Sequence, residues 1–314
     1  MNISYKYLFG PVPSRRLGVS LGVDLIPYKT CSYDCVYCEC DATTCLTTTR
    51  QEYVPTKKVI TELDAFLASE PYLDNITFSG SGEPTLHSGI GFIAENIASS
   101  YPDYQMALLT NGSLFSDPVV REDVLSMDII IPSLDAATDC VFKKINRPHT
   151  SITTERVISG LEALRDDFAR EMWLEIFIIP GLNDTDDEIQ KLHEAILRIR
   201  PDRVQLNTLD RPGVESWVQP ATQKHLLDIA SRLNYPSIEV IQPPDTRKEI
   251  PSYSDDLKNS ILQTIQRRPC TVLDLCDIFS LHQNEVNKYI GGLLLDGLIR
   301  EKREERGIFF VAVI

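Results

Sequence analysis

TCSYDCVYC, Thr30 to Cys38, puts three cysteines into nine residues at the spacing C-x3-C-x2-C. A structural zinc site wants four ligands and a disulfide wants two. Thiolates are soft donors that suit zinc or iron–sulfur. Three of them in one short loop can hold three irons of a cubane cluster and leave the fourth iron open. An open position is what separates a catalytic metal from a structural one. Ferredoxin-type carriers fill every position, and this loop does so only if Cys40 or Cys45 joins. The competing arrangement is zinc held by Cys35, Cys38, Cys40 and Cys45. Its C-x2-C-x-C core is cramped for a tetrahedron.

The loop follows a strand-like run, GVSLGVDLI (18–26). From there to residue 241 short apolar runs alternate with stretches of helical period. Strands are expected at 75–80, 104–110, 127–134, 172–181, 203–209 and 238–241. Helices are expected at 57–70, 89–101, 117–125, 151–169, 184–200 and 221–233. The helix at 117–125 opens with an Asp N-cap and a Pro in its first turn. That at 184–200 is acidic at its start and basic at its end, as the helix dipole favours. Strands that are nearly all apolar are buried on both faces, which marks a parallel sheet covered by helices. About six βα units suit an α/β fold of partial (β/α)6 TIM-like barrel type, with a doubly wound open sheet as the alternative. Cys31, Cys35 and Cys38 then lie just past the first strand, on the C-terminal rim where such sheets build their sites.

After residue 241 the pattern changes. QPPDTRKEIPSYS (242–254) holds three prolines and no period, so it is expected to be a linker. Residues 255–268, 271–281 and 284–298 have helical period, and 299–314 suits a hairpin turning at Glu305-Arg306-Gly307. Three helices and a hairpin predict a winged helix-turn-helix. The expected organisation is a barrel over 1–241, a linker over 242–254 and a winged-helix-like domain over 255–314.

The 314 residues carry 31 Lys+Arg and 45 Asp+Glu, a formal net charge of −14. Such a balance gives no generic attraction to nucleic acid or anionic lipid. Residues 1–60 are the least acidic part, with 7 basic and 5 acidic groups. No apolar stretch has signal-peptide length at the N-terminus, and none is long enough to span a membrane. Eight cysteines without an export signal point to a reducing, cytoplasmic setting, where clustered thiols bind metal or do chemistry.

Cys31-Ser-Tyr-Asp-Cys35-Val-Tyr37-Cys38 resembles the signature of the radical S-adenosylmethionine (radical SAM) superfamily. Further motifs follow in order at the expected strand ends. They are Ser79-Gly-Ser-Gly-Glu-Pro-Thr85, similar to that family's GGEP turn, then Thr110-Asn-Gly112, Pro132-Ser-Leu-Asp135, Ile179-Pro-Gly-Leu-Asn-Asp184 and Gln205-Leu-Asn207. The resemblance covers residues 8–241. Gly10–Gly18 and Leu206–Gly213 more narrowly resemble uncharacterised proteins near the wyosine-forming tRNA enzymes.

The resemblance implies a [4Fe–4S] cluster on Cys31, Cys35 and Cys38, with S-adenosylmethionine on the open iron. One electron from a ferredoxin or flavodoxin would then split the sulfonium to a 5′-deoxyadenosyl radical, which takes hydrogen from a substrate. It also implies a cofactor cradle. Ser79, Gly80, Ser81, Gly82, Glu83 and Pro84 would approach the amine, their glycines permitting φ > 0. Tyr37 would pack on adenine, or simply in the core. Asn111, Ser133 and Asp135 would bind ribose or carboxylate, or cap helices. Arg147 would pair the methionine carboxylate, or sit in a surface ion pair. Ile179, Gly181, Leu182 and Asn207 would flank the adenine. Cys140 is a candidate hydrogen donor inside the barrel, although a lone Cys usually packs. His87 and the Arg15–Arg16 pair are candidates to face the site and an anionic substrate.

Three function classes follow. One is a radical SAM enzyme acting on a protein, peptide or metabolite, the winged helix holding a partner chain. Another acts on tRNA, which the −14 charge disfavours. The third is an iron–sulfur sensor reading DNA. Its helix 284–298 carries only Lys288 against Glu285 and Asp296, poor for that task.

Overall fold

The computed structural model describes residues 5–40, 42–210, 213–241, 257–279, 281, 283–304 and 307–313. The expected linker 242–254 and the turn residues Glu305 and Arg306 lie outside them. The strands are β1 (Leu8–Ser14), β2 (Gly18–Val23), β3 (Thr30–Cys31), β4 (Cys45–Leu46), β5 (Asn75–Phe78), β6 (Met106–Thr110), β7 (Ile129–Pro132), β8 (Glu171–Phe177), β9 (Arg203–Asn207), β10 (Ile238–Val240), β11 (Ile299–Glu304) and β12 (Gly307–Ala312). The α-helices are α1 (Thr56–Leu67), α2 (Ile90–Ser100), α3 (Pro118–Glu122), α4 (Asp139–Ile145), α5 (Thr154–Asp167), α6 (Asp186–Ile199), α7 (Gln223–Leu233), α8 (Leu257–Arg267), α9 (Val272–Phe279) and α10 (Gln283–Leu295).

Eight strands form one sheet in the order β1-β2-β5-β6-β7-β8-β9-β10. All neighbours are parallel except β1, which runs antiparallel to β2. Sequence order along the sheet, with helices between strands, is the α/β arrangement of a partial barrel. Every residue of β5 and of β7 is buried, as their apolar runs predict. Thr138, Thr153, Thr185 and Thr222 each cap a helix with a side-chain oxygen, so α4, α5, α6 and α7 start where these hydroxyls stand.

β1, the two-residue strands β3 and β4 and the short α4 were not expected from sequence. β1 contains Gly10, Pro11 and Pro13, which hide a strand from pattern reading; its place at the sheet edge is where proline is tolerated. The stretch of α4 had no element assigned to it from sequence. The turn between β1 and β2 carries Leu17 against Ala107, Ile129, Ile131 and Trp173, so the hairpin closes over one face of the sheet.

Residues 257–313 add α8, α9, α10 and the antiparallel hairpin β11–β12. They build a second apolar core around Ile261, Leu275, Val286, Leu293 and Phe310, which Val12 of β1 joins. The edge hairpin thus belongs to the sheet by its hydrogen bonds and to the C-terminal helices by a side chain.

Candidate active site

The loop from Lys29 to Cys40 lies at the C-terminal end of β2. Each of its three expected ligand sulfurs has an N–H donor. Asn111 Nδ2 stands 3.5 Å and the Tyr33 amide 3.5 Å from Cys31 Sγ. Asn146 Nδ2 lies 3.4 Å from Cys35 Sγ, and Lys29 Nζ 3.0 Å from Cys38 Sγ. Donors aimed at sulfur stabilise thiolate over thiol and are the outer shell that tunes iron–sulfur ligands. Burial first, then Glu83, pushes the Cys31 thiol up to about 12. Burial and Asp135 raise Cys35 as well. Cys38 goes the other way, because a hydrogen bond from Cys40 and the Lys29 ammonium outweigh burial. Burial opposes charge on Lys29, but Cys38, Cys40 and Cys31 outweigh it and keep the ammonium above the usual lysine range.

The zinc alternative needs Cys40 and Cys45 to turn inward. Cys45 is exposed in β4, while Cys40 Sγ lies within hydrogen-bond reach of both Cys38 and the carbonyl of Arg267, the latter at 2.8 Å. Among the described residues, no three His, Cys, Asp or Glu side chains gather as they would round a single ion. A cubane spaces its thiolates further apart than one ion does.

The turn after β5 is tied down by buried groups. Glu83 is 2% exposed. Its Oε1 accepts from the Thr85 amide, Thr85 Oγ1 and Thr110 Oγ1, and its Oε2 from the Asn111 amide at 2.8 Å. One carboxylate therefore locks the turn after β5 to the turn after β6. Burial raises its pKa against those bonds. Ser81 donates through N and Oγ to Asp24 at 3.3 and 3.2 Å. Neither Gly80 nor Gly82 has positive φ, which corrects that expectation. They are required for space: a Cβ on Gly80 would collide with the Asp24 carboxyl, and one on Gly82 with the Thr30 carbonyl. Ser79 is half-buried at the strand end, and Pro84 opens a 3-10 turn, Pro84–Leu86.

Asp135 makes a second knot. It accepts from Tyr37 OH at 2.5 Å, Asn146 Nδ2 at 2.6 Å and the Phe177 amide at 2.9 Å. Burial raises its pKa; the three bonds oppose that. Tyr37 stacks on Phe177 with centroids 3.9 Å apart, in a cluster with Ile179 and Leu182. Tyr37, Asp135, Ile179 and Leu182 are therefore brought together. Asn111 joins them on the Cys31 side. Ser133 bridges to Glu175 of β8 through the backbone, and Gly181 sits exposed at φ 82°. Arg147 pairs with Glu215 at 2.7 Å and Asp34 at 3.8 Å. Asn207 turns to Glu175 at 3.1 Å. Cys140 stands exposed in the first turn of α4, away from these groups, so the structure does not bring it inside the sheet's concave face. His87 is fully buried behind the turn.

Lys29, Asn146 and Asp24 are the site residues that sequence reasoning passed over. Only Lys29 carried a local signal, a lone cation between apolar strand and cysteine pair.

Beside this rim lies a cavity of about 420 Å³. Its lining includes Ser79, Gly80, Glu39 and Cys40, Arg15 and Arg16, and Arg267, Arg268 and Ile278. Arg16 forms an ion pair with Glu175.

Residues 25–195 match the family described as "Radical SAM superfamily". The chain belongs to the radical SAM superfamily. A UPF0026 protein of Synechocystis is 35% identical over 213 residues, 68% of this chain and 78% of that protein. A protein of Brachyspira hyodysenteriae named "GTPase Obg" is 34% identical over 306 residues, 95% of this chain but 44% of that protein. The chain thus spans less than half the length of that relative. Among solved structures, a radical SAM methyltransferase from Sphaerobacter thermophilus shares the fold, with TM-score 0.56 and 16% identity over 70% of this chain and 66% of that one.

As a member of the radical SAM superfamily, the chain uses a [4Fe–4S] cluster and S-adenosylmethionine, and enzymes of that superfamily generally need an external reductant. The residues present fit the cluster, since three sulfurs each face an N–H donor. At the turn, Gly80 and Gly82 are needed because Asp24 and Thr30 fill the space a Cβ would take. No described helix is long and apolar enough to cross a membrane.

Proposed function

We propose that this enzyme cleaves S-adenosylmethionine on a three-cysteine cluster and takes hydrogen from a small molecule, or a single inserted side chain, held in the cavity beside the rim. The observation that carries this reading is the set of N–H donors on the sulfurs of Cys31, Cys35 and Cys38. Bound there, cluster and cofactor supply one-electron cleavage of the sulfonium and a carbon radical that abstracts hydrogen. The chain's own residues do the rest. Lys29, Asn111 and Asn146 hold negative charge on the sulfurs. Glu83 and Asp135 fix the turns that would present Ser79–Gly82, Asn111, Ser133 and Ile179 to the cofactor. Tyr37 would offer an edge to adenine, and Arg147 would exchange its surface carboxylates for that of the methionine. Cys40 and Cys45 have no part in ligation.

A cavity of about 420 Å³ is the size that takes a metabolite. That, with the −14 charge, favours a small substrate over tRNA. The division into a barrel over 1–241 and a C-terminal unit over 255–314 is supported by the separate apolar cores. Three helices followed by a hairpin support a winged-helix reading of that unit, with room for a protein partner. A ferredoxin or flavodoxin in the cytoplasm would supply the electron.

The test is anaerobic. Iron and sulfide are restored, S-adenosylmethionine and dithionite are added, and 5′-deoxyadenosine is measured by mass spectrometry. Product is expected. Cys31→Ala, Cys35→Ala and Cys38→Ala should each abolish it, and Cys40→Ala and Cys45→Ala should retain it. Loss in either of the last two would overturn the ligand set.

A further inference from the structure

The C-terminal unit meets the strand-end rim where α8 ends, and the contact runs through buried charge. Asp24 stands just past β2. Its Oδ2 accepts from the amide and the hydroxyl of Ser81 at 3.3 and 3.2 Å, and its carboxyl fills the space that a Cβ on Gly80 would need. Among the described residues, the cation that reaches this carboxylate is Arg267, with Nε 3.7 Å from Oδ2. The two side chains are 15% and 10% exposed. Arg267 Nη1 donates to the Gln263 carbonyl at 3.2 Å, and the guanidinium covers the Phe9 ring of β1 at 4.9 Å. The Arg267 carbonyl lies 2.8 Å from Cys40 Sγ, so α8 ends against the cysteine loop as well. A second tether comes from β11. Lys302 Nζ reaches the Gly213 carbonyl at 3.5 Å, and Gly213 packs so closely on the Tyr37 carbonyl that a Cβ there would collide with it.

Burial disfavours charge on both partners. On Asp24 the opposing charge of Arg267 is the strongest counterweight, and on Arg267 it is Asp24, followed by Cys40. A buried carboxylate that loses its cation is left with an uncompensated charge, and it neutralises or moves. At 3.7 Å Nε makes no hydrogen bond to Asp24. What α8 supplies to Asp24 is therefore charge, while the two bonds from Ser81 supply the geometry of the turn.

We propose that Arg267 of the C-terminal unit is a positioning residue for S-adenosylmethionine: its charge compensates the Asp24 carboxylate, and Asp24 holds the Ser79–Gly82 turn in the shape that receives the cofactor. The C-terminal helices are then part of the cofactor site and not a separate binding module. The proposal rests on the reading that this turn meets the cofactor. It deepens that reading by naming the residue, distant in sequence, on which the turn depends.

The experiment is isothermal titration of S-adenosylmethionine into the full chain, its cluster restored and oxidised, with no reductant present. Iron per chain and the urea midpoint are measured beside it. Arg267→Met should weaken binding roughly tenfold with the iron content unchanged, the usual scale for removing an outer-shell partner. Arg267→Lys should recover part of that, because a cation is what the site requires. Asp24→Asn should weaken binding too. The double variant of Arg267→Met with Asp24→Asn should lose no more than the worse single change, as residues on one route do. Lys258→Ala, which cuts an exposed α8 pair to Asp296, should leave the affinity unchanged. Undiminished binding by Arg267→Met overturns the proposal. So does a loss that follows the iron content or the urea midpoint and that Arg267→Lys does not recover, since that is a merely structural role. Losses that add in the double variant overturn the route through Asp24. An unaltered chain that holds its cluster and binds no S-adenosylmethionine overturns the reading of the turn and this proposal together, whereas equal binding by the unaltered chain and Arg267→Met overturns this proposal alone.

Discussion

The strand-end rim and the arginines of the cavity are both partly buried and both charged, yet they are built on opposite plans. On the rim the acidic groups are saturated. Glu83 accepts four hydrogen bonds and Asp135 three, all from the protein. In the cavity Arg267 Nε faces the Asp24 carboxylate at 3.7 Å without a hydrogen bond, and Arg15 is exposed with no ion pair among the described residues. A saturated buried carboxylate holds geometry, and a loosely paired guanidinium leaves its surroundings adjustable. The difference teaches which region positions and which adapts.

The largest effect that would break this comparison is at Glu83. Glu83→Ala strands the Thr85, Thr110 and Asn111 donors in a buried place. It should cost about 3 kcal/mol or more in urea denaturation of the cluster-free chain. Arg15→Ala in the same assay should stay within about 0.5 kcal/mol, as an exposed unpaired side chain does. Equal costs would erase the distinction between the two regions.

Next is Lys29. Lys29→Met removes the cation 3.0 Å from Cys38 Sγ. Reduction adds negative charge to the cluster, so the variant's midpoint potential should fall, read by redox titration with visible or EPR detection. An unchanged or higher potential would show that Lys29 does not face the cluster.

A smaller effect belongs to His87. Burial holds its pKa below the ordinary 6.5. The unfolded chain therefore binds the proton first as pH falls. Stability is complete above 6.5 and is lost as pH drops through the folded value. His87→Gln should flatten that acid-side slope in thermal melts between about pH 5 and 6.5. The smallest is Arg198→Ala, which cuts exposed pairs to Glu155 and Glu162 and should cost less than about 1 kcal/mol.

What the sequence made legible was local. The all-apolar run at 129–132 announces a buried strand, and the helices at 151–169, 184–200 and 221–233 are legible from their period, although the helix that Thr138 starts is not. The order of turn motifs after successive strands let Cys31, Glu83, Asn111 and Asp135 be placed on one rim. What stayed hidden was long-range or masked by backbone chemistry. Asn146 meets Cys35 across 111 positions, and Arg16 meets Glu175 across 159. No spacing rule reports such pairs. Pro11 and Pro13 concealed β1, because a proline-bearing edge strand reads as a loop. At Gly80 and Gly82 the residue type was right and the reason was not: close approach of Asp24 and Thr30, with no left-handed backbone.

The central claim is that one iron of the cluster has no protein ligand. Mössbauer spectroscopy of protein reconstituted with iron-57, recorded before and after S-adenosylmethionine is added, tests it most directly. One iron of the four should change its isomer shift on addition while the other three hold theirs. Four irons blind to the cofactor, or a metal centre that proves to be zinc, would contradict it.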